Sequence, residues 1–283
     1  MIEFLGKLSN HLGFPVMSSS HGQEIDYMNG WVHWLMLILF VGWGIFFIYT
    51  LIRFRSGANP KANYKGVTSH INQYVEYGVI LIEAILLIGF AYPIWAKVKT
   101  SVPSVDNNTI EVRVVSQQFA WNIHYPGADG KFGDTSAELV DEETNPIGLD
   151  RNSPNAKDDI TTINQLHLPV NKQAMIYLSS KDVIHSFSLP EMRVKQDAIP
   201  GMTIPVFFTP TMTSEEFLNV IKGTAREGMG YEISCAQLCG NSHYRMRGYM
   251  TIHESNGYEN WLAEQAEELL EEEGDDWGDD DDW

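Results

Sequence analysis

The chain has 283 residues, long enough for one or two domains, and 44% of them are apolar, a share that suits a globular or a mixed membrane protein equally well. Acidic residues outnumber basic ones by 37 to 19, for a net charge of −18, and no basic patch interrupts that excess, so nucleic-acid binding is excluded.

In chain order, residues 1–26 mix apolar and polar side chains with no basic stretch leading into a long apolar one. They do not read as a cleaved signal; a short helix lying at the membrane surface is the expectation. Residues 27–100 predict a transmembrane hairpin. Trp31 to Ile52 contains His33 but no formal charge, and Val75 to Trp95 is a second apolar run, broken by Glu76 and Glu83. Each is long enough to cross a bilayer core of about 30 Å as a helix. The connection at 53–74 carries Arg53, Arg55, Lys61 and Lys65 and no acid. The positive-inside rule puts it on the cytoplasmic or matrix side and sends everything after about Ser101 to the opposite face.

Residues 101–262 read as an exported all-β domain. Alternation at Ile110–Val115 and Phe119–Tyr125 predicts two strands, and further strands are expected at 165–168, 174–179, 204–208, 230–235 and 248–253, punctuated by Pro, Gly, Asn and Asp. Short strands without helical periodicity imply a Greek-key sandwich or barrel. Residues 127–162, rich in Asp, Asn, Gly and Pro, are expected as a surface loop, and 211–229 as an insertion with room for a short helix. The last stretch, 263–283, is an acidic tail: Glu264 to Trp283 holds twelve acids and no base, a composition of disordered, solvated chain.

The chemistry concentrates at Cys235-Ala236-Gln237-Leu238-Cys239-Gly240-Asn241-Ser242-His243-Tyr244-Arg245-Met246, with the only two cysteines spaced C-x3-C-x3-H-x2-M. Thiolate, imidazole and thioether are the ligands that select copper. A single-copper site needs one cysteine. Two on one tight loop can bridge a pair of coppers if a second histidine arrives from elsewhere, or can form a disulfide. His185, in Lys181-Asp182-Val183-Ile184-His185-Ser186-Phe187, is the candidate histidine, with Asp182 and Ser186 as candidates to hold its ring. The other histidines lack ligand spacing and are expected at the surface or an interface.

With Lys195-Gln196-Asp197-Ala198-Ile199-Pro200-Gly201 following, the sequence from about Trp31 to Trp261 resembles cytochrome c oxidase subunit II. The resemblance implies a cupredoxin-like fold and a dinuclear copper centre, CuA, held by His185, Cys235, Cys239, His243, Met246 and the Gln237 carbonyl. It implies a subunit of cytochrome c oxidase that takes electrons from cytochrome c, or a cytochrome c domain, and passes them to the haem of catalytic subunit I. Reduction of O2 to water takes place there, with no catalytic residue in this chain. Lipid and other oxidase subunits are implied partners. The bacterial inner membrane is favoured over the mitochondrial one, with the copper domain on the periplasmic side.

Three positions bear on finer roles. The family usually has Glu at 237, where it also reaches a Mg2+ shared with the catalytic subunit; Gln237 leaves that ion open. The family's electron-entry aromatic stretch begins with Trp where this chain has Phe119, and Trp121 matches its second Trp. Glu76 matches the family's proton-channel entrance. A membrane-tethered copper chaperone for oxidase assembly is the alternative reading, and copper stoichiometry separates the two.

Overall fold

The computed structural model describes residues 13–58, 61, 64–66, 68–106 and 108–275. Of the 1–26 segment expected as a surface helix, residues 1–12 lie outside those described; residues 13–21 are not helical, with the Ser18 and Ser20 N–H groups donating to the Glu191 and Thr209 carbonyls, and helix begins at Gly22. The chain divides into a helical unit, residues 1–14 and 23–101, and a β unit, residues 15–22 and 102–283.

In the helical unit, α1 spans Gly22–Arg53. A second helical run holds α2 at Ile71–Leu86, a π-helical turn at Leu87–Ala91 and α3 at Tyr92–Lys99. Proline explains the π turn. Pro93 has no N–H to give the carbonyl one turn back, and the Tyr92 N–H instead reaches the Leu87 carbonyl, widening the helix by one residue. Both runs are long and apolar enough to cross a membrane, and neither has its apolar window buried by protein. Glu76 and Glu83 lie seven residues apart, hence on one face of α2, and both are exposed.

The β unit is a pair of five-stranded sheets. One runs β3-β2-β1-β5-β8 and the other β4-β10-β9-β6-β7. The strands are β1 (Thr109–Gln117), β2 (Ala120–Tyr125), β3 (Ile160–Ile163), β4 (Gln165–Pro169), β5 (Gln173–Ser180), β6 (His185–Leu189), β7 (Val194–Ala198), β8 (Ile204–Phe208), β9 (Tyr231–Cys235) and β10 (Arg247–His253). Pairing is antiparallel except for β1 with β5 and β10 with β4. The strands expected from the sequence pattern leave out β3, β6 and β7. Alternation fills the space between the sheets: Val112 and Val114 from β1, Trp121 and Ile123 from β2, Leu166 and Leu168 from β4, Phe187 and Leu189 from β6 and Ile233 from β9 are shielded from solvent. Each such side chain stabilises the fold by about 1.5–3 kcal/mol.

Asn164 makes the corner between β3 and β4. It adopts φ 61°, a left-handed conformation that Asn tolerates. Its side chain accepts the Trp121 N–H at 2.9 Å, while its own N–H donates to the Trp121 carbonyl at 2.7 Å.

Three expectations are corrected. The 127–162 segment is not merely a surface loop: Ile147, Leu149 and Ala156 form a small core against Val115. Within it Asp159 is buried and accepts from the Gly133 N–H at 2.7 Å and the Gly127 N–H at 3.2 Å, and it pairs with His124 at 2.5 Å. His124 is therefore an interior histidine and not a surface one. The acidic tail is also ordered in its first part, because α5 (Ser255–Asp275) runs through Glu264 and beyond. Tyr258, Trp261, Leu262 and Leu269 put an apolar stripe on that helix which packs on the β core.

The 211–229 insertion carries α4 (Ser214–Val220). A reciprocal capping box between Thr213 and Glu216 starts it, and Phe217 fixes it by stacking on Tyr231 at 4.1 Å. Arg226 from the same insertion pairs with the buried Glu191 carboxylate.

Candidate metal centre

β9 and β10 are antiparallel neighbours, and the Cys235–Met246 segment is the connection between them. β6 lies on the other side of β9, with Phe187 opposite Cys235. This pairing carries His185 across fifty residues of sequence to the mouth of the loop. Its ring Nδ1 lies 3.9 Å from the Cys235 sulfur.

The two sulfurs are 3.8 Å apart. His243 Nδ1 is 3.6 Å and Met246 Sδ 3.7 Å from the Cys239 sulfur, and the Gln237 carbonyl oxygen is 3.2 Å from that of Cys235. All six sequence-predicted ligand groups thus converge on one pocket. His185, Cys239 and Met246 are buried, Cys235 is partly so, and Gln237 stands at the surface. Burial alone would raise the Cys235 thiol, but hydrogen bonds from His185 and from the backbone at Ser186 and Gln237 bring it down to about 6. Burial and the adjacent Cys235 charge then hold Cys239 up, at about 11. Two thiols this close share one negative charge readily and a second only beside a cation.

The ring of His185 is fixed from behind. Its Nε2 bonds Asp182 Oδ1 at 2.8 Å, which leaves Nδ1 aimed at the sulfurs. Burial would lower this imidazole, yet Cys235 and Asp182 together raise it. Of the two ring-holders considered from sequence, Asp182 acts; the Ser186 hydroxyl is buried and finds no partner among the described residues. Asp182 also accepts the Gln118 N–H at 2.7 Å, and the Gln118 side-chain amide donates to the Cys239 carbonyl. One carboxylate therefore ties the β1–β2 bend to the metal pocket. Sequence reasoning missed Gln118 and Gly240. Gly240 has φ +138°, and a Cβ there would stand 2.7 Å from the Gln118 amide nitrogen and 3.0 Å from the Phe119 ring.

Phe119 packs, partly buried, at the edge of the pocket, while Trp121 is fully buried beneath it, its ring 6.2 Å from that of His185 and 5.5 Å from Phe187. Glu76 belongs to the helical unit and lies on α2.

Fold and site define a class: a β-domain protein with an apolar helical anchor and a preassembled pocket of thiolate, imidazole and thioether donors, compatible with a copper centre. The family model described as cytochrome c oxidase subunit II, periplasmic domain, matches residues 110–252. The alternative cytochrome c oxidase subunit 2 of Bradyrhizobium diazoefficiens is 31% identical over 92% of this chain and 88% of its own. Cytochrome c oxidase subunit 2 of Cereibacter sphaeroides is 24% identical over 90% and 80% of the two chains. The solved periplasmic domain of cytochrome oxidase subunit II from Bradyrhizobium japonicum is 27% identical, covering 59% of this chain and 99% of that one at a TM-score of 0.39. The chain belongs to the cytochrome c oxidase subunit II family, with transmembrane helices and a cupredoxin-like domain.

Proposed function

We propose that this chain is the electron-entry subunit of a haem-copper oxidase, holding a dinuclear CuA centre through His185, Cys235, Gln237, Cys239, His243 and Met246. The observation that carries the reading is the pair of thiols 3.8 Å apart with an imidazole nitrogen beside each. When bound, such a centre supplies one-electron transfer with the charge shared between two metals. The chain's part is to keep both sulfurs and both rings where they are in either redox state. Asp182 does this for His185, and the Gln118 bond to the Cys239 carbonyl does it for the loop. Little rearrangement then accompanies each transfer.

The Phe119 ring, against the pocket edge, is the entry contact for a cytochrome c or cytochrome c domain, and Trp121 supports the site from below. The basic 53–74 connection argues for a cytoplasmic hairpin loop and a periplasmic copper domain. On that orientation Glu76 stands at the cytoplasmic end of its helix, as the mouth of a proton route into subunit I. Gln237 offers a neutral amide at the surface, so no magnesium site is assigned to it.

Copper loading of the detergent-solubilised chain, followed by stopped-flow mixing with a reduced basic c-type cytochrome, tests the reading. Two coppers per chain and rapid oxidation of the cytochrome are expected. One Cu(I) per chain, released to an acceptor and inert to the cytochrome, would instead identify a membrane-tethered copper chaperone.

A further inference from the structure

Away from the copper pocket, β4 and β10 run parallel and put His167 and His253 side by side, Nδ1 of the first 2.8 Å from Nε2 of the second. The two ring planes lie within 21° of parallel, with centroids 5.1 Å apart. Trp261, from α5, covers this pair: its ring is parallel to that of His167 within 1°, at 4.2 Å between centroids. Tyr125 from β2 meets the Trp261 ring edge-on at 5.1 Å, and its hydroxyl accepts the His167 backbone N–H at 2.7 Å. Trp261 thus joins the histidine pair to an otherwise strongly acidic helix, beside the apolar contacts of Tyr258, Leu262 and Leu269.

We propose that the His167–His253 pair is a pH-sensitive latch for the C-terminal helix, which docks through Trp261 while both imidazoles are neutral and is released when they take up protons. The pair holds one proton between its facing nitrogens. Any further proton must be carried on a half-buried ring, and a second would set two cations at that short distance. A tryptophan face attracts a cation, which opposes this, but the other two effects win. Burial first, then the neighbouring His253, lower His167 to about 4, and burial lowers His253 as well.

Freed from the helix, each ring returns toward about 6.5. The undocked state therefore binds more protons. Docking is complete above about pH 6.5 and weakens as pH falls toward 4, by about tenfold per pH unit on the His167 contribution, with His253 adding to the loss in the same direction.

The other groups around the latch do not mimic this behaviour. Tyr125 and Tyr258, both buried, are raised by burial, away from the relevant window. β3, which also packs on the helix, has no ionisable side chain. The helix and its lead-in carry Glu254, Glu259, Glu264, Glu267 and Glu268, and neutralising these removes like-charge repulsion, which favours the helix at low pH. The carboxylate effect has the opposite sign.

Hydrogen–deuterium exchange of the full chain in detergent at pH 7.5 and 5.0, normalised for intrinsic exchange, tests the latch. Protection across residues 255–270 is expected to fall roughly 30-fold at pH 5 on the His167 contribution alone, while β9 and β10 keep theirs. His167→Phe should lose most of the pH dependence, keeping only the part that His253 carries. His253→Gln, a second variant should the first not fold, should shrink the pH dependence without abolishing it. Equal protection of the wild-type helix at both pH values, or the same loss in His167→Phe, would overturn the proposal.

Discussion

The β unit and the helical unit place their apolar side chains in opposite ways. In the β unit Trp121, Phe187 and Phe217 are fully shielded, and the metal pocket sits on that packed base. In the helical unit Phe40 is 77% exposed and Trp43 60% exposed, with no protein over them. Both regions are rich in large apolar residues, so composition does not separate them. The difference lies in what covers the surface: a second sheet in one case and, in the other, no protein among the described residues, on helices long and apolar enough to cross a membrane. The cluster of thiol, imidazole and thioether groups is consequently assembled within the domain, whereas any role for Glu76 exists only in an assembled oxidase.

That contrast is broken most severely at the thiols. Cys235→Ser removes one of the two sulfurs, and the dinuclear copper spectrum should vanish, read by visible absorption of the loaded chain. Gln237→Ala keeps the carbonyl and should alter the spectrum only slightly. In the helical unit, Glu76→Ala should slow O2 consumption by the assembled oxidase several-fold while leaving reduction of the copper centre by its donor unchanged, with Glu76→Asp between. Unaltered turnover would remove Glu76 from the proton route. A smaller effect is expected at Gly240, where Ala would meet Gln118 and Phe119. Its cost should be about 1–3 kcal/mol of domain stability by denaturant unfolding.

The hairpin and most strands are legible in the sequence because their patterns are local: unbroken apolar runs for one, alternation for the other. The C-x3-C-x3-H-x2-M spacing is equally plain, since five of the six ligand groups stand on one loop. β7 escapes because Lys195, Gln196 and Asp197 interrupt its apolar ends and read as turn. β3 hides at the end of a polar insertion whose small core, Ile147, Leu149 and Ala156, is too sparse to show a period.

The C-terminal helix misleads through composition. Its many carboxylates outweigh Tyr258, Trp261, Leu262 and Leu269 in any average, although those four decide where it packs. Asp182 and Gln118 could not be joined from sequence at all. They are 64 residues apart and meet only because β1 pairs with β5.

On the proposed function, the Cys235–Met246 loop and His185 hold two coppers as one electron-sharing unit. Electron paramagnetic resonance of the oxidised, copper-loaded full chain, with metal content measured on the same sample, tests it most directly. Two coppers per chain are expected, with a hyperfine pattern from one unpaired electron spread equally over both nuclei. A single copper per chain, with its spin on one nucleus, would contradict that reading.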